Sequence, residues 1–346
     1  MKSPQPRLTA LLTALILWVA AAAAQGQSPA GGIVSTAAGK KVKLNGYAEF
    51  RHGDILIIEG QRVVLAPGAQ FKGKGIPSPA AIPLGYEVKV EGIRRPDGIV
   101  AARKLEAKPN GVALFEPEVL QATNTIEQEW VRQGRMFEPT EAGKEIDIGR
   151  IVETGPQVER VRRILDRLRP PHLKPEALRV RVVDTKEWNA AAMGNGALWV
   201  YSGLVESMSD DELAVILGHE LAHYSHEHSR RQAKRAMIAQ LIALGGVVAA
   251  DALGGDRAAR IAGLSALLGL TVWSAGYSRD LEDQADRVGL RYAYEGGYDV
   301  SRAVPLWERF REKYGEPDSI TNFFLGSHSR PSDRIRNLQL ELAMNY

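Results

Sequence analysis

The chain predicts an α+β fold, with a mainly helical C-terminal part that holds a small β-sheet and a small all-β module, barrel or sandwich, before it. Three observations predict this. Between Lys41 and Lys108, short apolar or alternating runs are punctuated by Gly, Pro and Asp-Gly. Beyond Pro117, apolar residues recur at helical spacing, interrupted by the strand-like runs Leu178–Val183 and Ala197–Tyr201. Within the helical part, His219-Glu220-Leu221-Ala222-His223 forms an H-E-x-x-H sequence.

The 346 residues suffice for one or two domains with a sizeable core. The apolar fraction of 45% and charged fraction of 25% are those of a globular chain. Of the net charge of +3, two units come from Lys2 and Arg7, so the balance carries no argument for a nucleic-acid partner. The chain has no cysteine, which excludes a disulfide, a thiolate metal site and a lipidated cysteine.

Residues 1–24 read as a secretory signal: basic Lys2 and Arg7, the apolar run Leu8–Ala20, and small residues Ala22–Ala24 before Gln25. An exported, periplasmic protein is therefore expected. Residues 25–40 read as a linker and 41–110 as the all-β module. Its strands are expected at Val42–Leu44, Ile55–Ile58, Val63–Leu65, Tyr86–Val90 and Ile99–Leu105, with a hairpin at Asp97-Gly98. This texture resembles the small OB-like β modules of bacterial exported proteins. His52 reads as a surface or turn residue.

Lys108-Pro109-Asn110-Gly111 marks a boundary, and residues 118–346 form the second domain. Helices are expected over Ile126–Gly134 and Ile151–Leu168, the latter stopped by Pro170-Pro171. Asn189–Leu204 holds a Gly-Asn-Gly turn and then the strand Ala197–Tyr201. Met237–Leu253 and Ala258–Gly276 are each about a membrane span long but rich in Ala and Gly. They read as buried or membrane-touching helices; a bilayer hairpin and a partner groove are the other readings. Helices follow at Ser278–Tyr294, Val300–Tyr314 and Pro331–Met344.

On a helix, residues four apart share a face, so His219 and His223 can aim both imidazoles at one metal ion. Glu220, about 100° round, can hold a water without ligating. Ser209 and Glu212 form a capping box that starts this helix, and Asp210 and Asp211 suit its dipole. Catalytic zinc usually has three protein ligands. The continuation H-x-x-G-x-x-H fails here, because His226 stands at the Gly position and Ser229 at the last His. His226 and His228 read as polar-face residues near the helix end. Glu282 is the better third ligand, with Asp286 one turn on to accept an imidazole N–H. The same spacing, beside Asp280, Asp283 and Arg287, also describes a solvated charged face.

The H-E-L-A-H motif, then S-R-D-L-E-D-Q-A-D at 278–286, then S-H-S-R-P-S-D-R-I at 327–335, resembles the M48 peptidases. These are zinc metallopeptidases of the gluzincin type, and the resemblance runs from about residue 118 to the end. It implies a zincin-like domain with one zinc per chain on His219, His223 and Glu282, Asp286 orienting a ligand, and Glu220 as general base. The family's late histidine and arginine fall on His328 and Arg334, which implies oxyanion donors or, for His328, a fourth ligand that closes the site. Ser329 follows His328 where the family has proline. The family's stretch before the active helix is matched by Asn189-Ala-Ala-Ala and Gly194-Asn-Gly196. Asn195, Gly196, Ala197, Leu198, Trp199 and Val200 would then line the cleft, with Ala197–Tyr201 pairing an extended peptide.

The activity implied is zinc-dependent hydrolysis of peptide bonds in unfolded or misassembled envelope proteins. A second reading is a latent, chaperone-like binding protein of the envelope that holds unfolded clients. A third is a membrane-embedded protease using 237–276. Unfolded or extended polypeptides are the expected partners, with peripheral membrane contact through 237–276.

Overall fold

The computed structural model describes residues 39–108, 116–139, 145–171, 173–233, 235, 277–316 and 331–346. The signal-like segment 1–24, the linker up to residue 38, the apolar segments within 237–276 and His328 lie outside the described residues.

Strands β1 (Lys40–His52), β2 (Ile55–Ile58), β3 (Gln61–Gly73), β4 (Glu87–Arg94) and β5 (Val100–Lys108) close into a barrel in the order β1-β2-β3-β5-β4. Of barrel and sandwich, the barrel is the outcome. Ala48, Leu56, Ile58, Val88, Val90 and Leu105 help to fill its interior. β1 and β3 run well past the short segments expected at Val42–Leu44 and Val63–Leu65. They bend rather than stop: the register shifts between Ala48 and Phe50, and again between Leu65 and Gln70. Pro67-Gly68, which reads as a break, lies inside the second shift. Such bulges let a twisted strand turn a barrel corner. The Asp97-Gly98 hairpin forms as expected. Gly98 has φ +82°, and Arg95 N–H donates to the Ile99 carbonyl at 2.8 Å.

After helix α1 (Glu116–Gln133) come β6 (Arg135–Pro139), β7 (Glu145–Val152), helix α2 (Pro156–Leu168), β8 (Arg179–Asp184), β9 (Ala190–Ala192) and β10 (Ala197–Tyr201). They form one sheet, ordered β6-β7-β8-β10-β9, in which only β8 and β10 run parallel. Strands β6 and β7 were not expected, and Ile151, expected to open a helix, lies in β7 one residue before its end. Ile146 and Ile148 already alternate, and Gly149 lets β7 approach β8. A Cβ there would lie 2.4 Å from the Asp184 carbonyl oxygen. The helix starts only at Pro156, after Gly155 at φ +117°.

β10 is a central strand covered on both faces. Leu198 and Val200 join the main core with Leu213 and Leu217, while Ala197, Trp199 and Tyr201 pack with Trp130 and Met136. That double cover explains why the run is apolar without alternation.

Helices α3 (Ser202–Ser207), α4 (Asp210–Ser225), α5 (Arg279–Glu295), α6 (Ala303–Tyr314) and α7 (Pro331–Asn345) complete the described elements. α4 starts where its capping box predicts: Glu212 N–H donates to Ser209 Oγ at 3.2 Å, and Ser209 N–H to Glu212 Oε2 at 2.9 Å. Every residue from Leu213 to His223 is buried, so α4 is enclosed on all sides. α4 and α5 cross at a pair of glycines. A Cβ on Gly218 would sit 2.5 Å from the Gly289 oxygen, and one on Gly289 would sit 2.5 Å from the His219 nitrogen. The barrel docks on these helices through Arg287 with Glu49, Arg231 stacked 3.6 Å from the Tyr47 ring, and Arg62 donating to the Met344 carbonyl. Among the described residues, no helix is long and apolar enough to cross a membrane.

Candidate active site

α4 supplies His219, Glu220 and His223, and α5 supplies Glu282 and Asp286. All five are buried. The glycine crossing sets the two helices close enough for their side chains to meet. His219 Nε2 lies 2.9 Å from His223 Nε2 and 3.4 Å from Glu282 Oε2, and His223 Nε2 lies 3.3 Å from Glu282 Oε1. The three residues form a cluster able to hold a metal ion.

This donor set fits zinc. Two imidazole nitrogens and a carboxylate are common zinc ligands, and bonds of about 2.0–2.1 Å in a tetrahedron place ligand atoms about 3.3–3.4 Å apart. The separations here are at or slightly below that spacing. Each imidazole also uses its other nitrogen, which aims Nε2 at the shared point. Nδ1 of His219 donates to Asp286 Oδ1 at 2.9 Å, and Nδ1 of His223 donates to His228 Nδ1 at 2.8 Å. Such partners fix tautomer and ring orientation. Tyr277 stacks on the His223 ring with centroids 3.9 Å apart.

Burial and the Arg334 charge work to lower the His219 pKa, but bonds to Asp286 and Glu282 outweigh them and push it up to about 9. Burial opposes ionisation of Asp286 in turn, yet the charge of Arg334 and the bond to His219 hold its carboxyl below the usual range. Burial pushes His228 well below the usual histidine range, and the neighbouring His223 and Arg231 add to this, so its ring is neutral and can accept at Nδ1.

Glu220 lies one residue past His219, and its Oε2 accepts the Ala192 N–H at 2.9 Å. Strand β9 is thus tied directly to the carboxylate beside the metal cluster.

Several expectations need correction. β10 is flanked by β8 and β9 on both sides, so Ala197, Leu198, Trp199 and Val200 have no open edge for a peptide. β9 occupies that place. Asn195 is held by Glu127 and Asn124, and Gly196 (φ +87°) makes the turn into β10. Arg334 is buried: its Nε and Nη2 bond Asp286, Nη2 also lies 2.8 Å from His219 Nδ1, Nη1 lies 3.9 Å from Glu282 Oε2, and the guanidinium is 3.6 Å from the Trp307 ring. Its bonds hold Asp286 in place behind His219. His226 and His228 are wholly buried instead of lining a polar face. The contribution of His228, and of Gln284 behind it at 3.0 Å, left no signal in spacing, because the partners lie 56 residues apart.

The family model "Peptidase family M48" matches residues 154–342, more than half of the chain. The chain belongs to peptidase family M48. The chain is 30% identical over 165 residues to the mitochondrial metalloendopeptidase OMA1 of Bos taurus, covering 46% of this chain and 31% of that protein. It is 29% identical over 171 residues to the metalloprotease YcaL of Escherichia coli K12, covering 47% and 61%. A Vibrio cholerae protein provisionally named beta-barrel assembly-enhancing protease is 30% identical over 152 residues, covering 42% and 31%. The chain spans less than two thirds of the length of each of these relatives. The barrel lies outside the M48 match.

Proposed function

We propose that this M48 chain is a zinc metalloendopeptidase acting on unfolded or misassembled proteins of the cell envelope. The observation that carries the reading is the buried convergence of His219, His223 and Glu282 beside Glu220, whose carboxylate is bonded to the edge strand β9. Zinc held there supplies Lewis-acid polarisation of the scissile carbonyl and lowers the pKa of a water toward neutrality. Glu220 takes the proton of the attacking water and hands it to the leaving amine. Asp286 holds His219 in the ligating tautomer, and Arg334 keeps Asp286 ionised and in place. With Arg334 committed there, oxyanion stabilisation falls to His328 in this reading.

The substrate edge in this reading is β9. Met193 N–H and the Asn189 carbonyl bond to β10, so by the period of two the main-chain groups of Ala190 and Ala192 face the other way. The bond from Ala192 N–H to Glu220 marks that outer side as the one toward the catalytic carboxylate. An extended peptide added there gains main-chain bonds, which favours unfolded over folded clients. The envelope as workplace is supported by the signal-like residues 1–24 and by a relative whose name ties it to beta-barrel assembly.

Two outcomes test this proposal. The mature chain is expected to carry one zinc and to cleave casein; a chelator stops cleavage and added zinc restores it. Client holding without chelator-sensitive cleavage would favour the chaperone-like reading instead. Asp286→Asn is expected to weaken zinc binding by about 10–100-fold, since an amide is a poorer partner for the His219 N–H and leaves Arg334 unpaired. Competition with a chromogenic chelator reads this, and an unchanged affinity removes Asp286 from the scheme.

A further inference from the structure

The barrel lies outside the M48 match, yet one of its side chains connects to the metal cluster. Glu49 stands at the β1 register shift: Ala48 pairs with Ile58 and Phe50 with Ile57, so Glu49 is the extra residue of a bulge. A bulge re-aims its side chain. Ala48 faces the barrel interior, while the buried Glu49 carboxylate meets α5. It accepts from Gln284 Nε2 at 2.8 Å, from Arg287 Nη2 at 2.7 Å and Nε at 3.3 Å, and from Gly60 N–H at 2.9 Å.

These bonds fix the direction of everything between Glu49 and the metal cluster. The Gln284 amide turns its nitrogen to the Glu49 and Glu59 carboxylates and its oxygen to His228 Nε2 and the Arg231 guanidinium. A flipped amide would set its oxygen against two carboxylates and its NH2 against a cation, so only one orientation is satisfied. His228 must then donate from Nε2 to Gln284 Oε1, which leaves Nδ1 as its acceptor. His223 in turn must carry its proton on Nδ1, and its Nε2 lone pair points at His219 Nε2 and Glu282. Three residues thus donate in one sense, His223 to His228, His228 to Gln284 and Gln284 to Glu49, so the relay ends on a carboxylate from another part of the fold.

We propose that Glu49 of the barrel is a positioning residue for the metal site, setting the tautomer and orientation of the ligand His223 through Gln284 and His228. The barrel is therefore part of what makes the site competent for metal. The inference rests on the zinc assignment above, and its test reads metal binding separately from turnover.

The experiment measures zinc affinity by chelator competition, and the visible spectrum of the Co2+-loaded chain, for the full chain and four variants. Gln284→Met breaks the relay while leaving the Glu49–Arg287 pair whole. Glu49→Leu removes its end, and Glu49→Gln keeps an acceptor for Gln284. Arg62→Ala loosens barrel docking at Met344 and Asn345, away from the relay. Gln284→Met and Glu49→Leu are expected to weaken zinc binding about 10–100-fold and to alter the Co2+ spectrum. Glu49→Gln recovers most of the affinity, and Arg62→Ala keeps wild-type values. Should Glu49→Leu not fold, Gln284→Met decides. Wild-type affinity and spectrum in Gln284→Met overturn the proposal, as does an equal loss in Arg62→Ala, which would make docking alone responsible. A wild-type chain that binds no zinc overturns the metal assignment itself, and this inference with it.

Discussion

Glu220→Gln is expected to keep zinc in the site and to lower peptide hydrolysis by about 10²–10⁴-fold, the range that a positioned general base contributes. The two expectations come from different parts of the geometry. The cluster atoms belong to His219, His223 and Glu282, none of which is changed. The amide oxygen of Gln can still accept the Ala192 N–H, so the tie between α4 and β9 survives. What is lost is basicity: a neutral amide cannot take a proton from water near neutral pH. Zinc content by elemental analysis, beside chelator-sensitive cleavage of an unfolded protein, reads both at once. Turnover at the wild-type rate would remove Glu220 as the base. The same variant, still binding clients, would also show how far holding alone accounts for the protein's work.

Gly289→Ala is expected to destabilise the fold and weaken zinc binding together. In an exposed helix interior this change would stabilise by up to about 1 kcal/mol through helix propensity. Here the new methyl would stand 2.5 Å from the His219 nitrogen, 2.7 Å from the Gly218 carbonyl carbon and 2.8 Å from the His219 Cα. All three are backbone atoms of an enclosed helix, so no side chain can swing aside. Overpacking of this kind costs about 1–3 kcal/mol, and contact with backbone places it at the upper end. The net loss is then about 2 kcal/mol, and Tm falls by about 4–8 °C for a domain of this size. Since α4 carries two residues of the metal cluster and α5 the third, parting the helices also opens the His219–Glu282 approach. Thermal melts with and without zinc test this, and a variant as stable as wild type with unchanged zinc affinity would contradict it.

The expectations that held were mostly local. The H-E-x-x-H pair and the Glu282/Asp286 pair are one-turn relations, and helical geometry alone places such residues on one face. The α4 capping box spans three residues and the Asp97-Gly98 turn two, and both formed where expected. The expectations that failed depended on neighbours distant in sequence. Ala197–Tyr201 was rightly a strand, but nothing in those five residues says that β8 and β9 take both its sides. Nor does spacing show that Arg334 bonds Asp286, 48 residues earlier. His226 and His228 look polar and exposed until helix α5 covers them.

The sequence by itself therefore determined which groups are on offer: two histidines on one helical face with a glutamate beside them, a second pair of carboxylates one turn apart, and no thiolate. It did so because helical repeats convert spacing directly into shared faces. Only the tertiary structure decided which strands flank β10, which arginine bonds Asp286, and that a barrel glutamate reaches His223 through Gln284 and His228. Those contacts join residues up to 235 positions apart. Such pairs leave no period in the chain, and they appear only once the α4–α5 glycine crossing and the barrel docking have brought the side chains together.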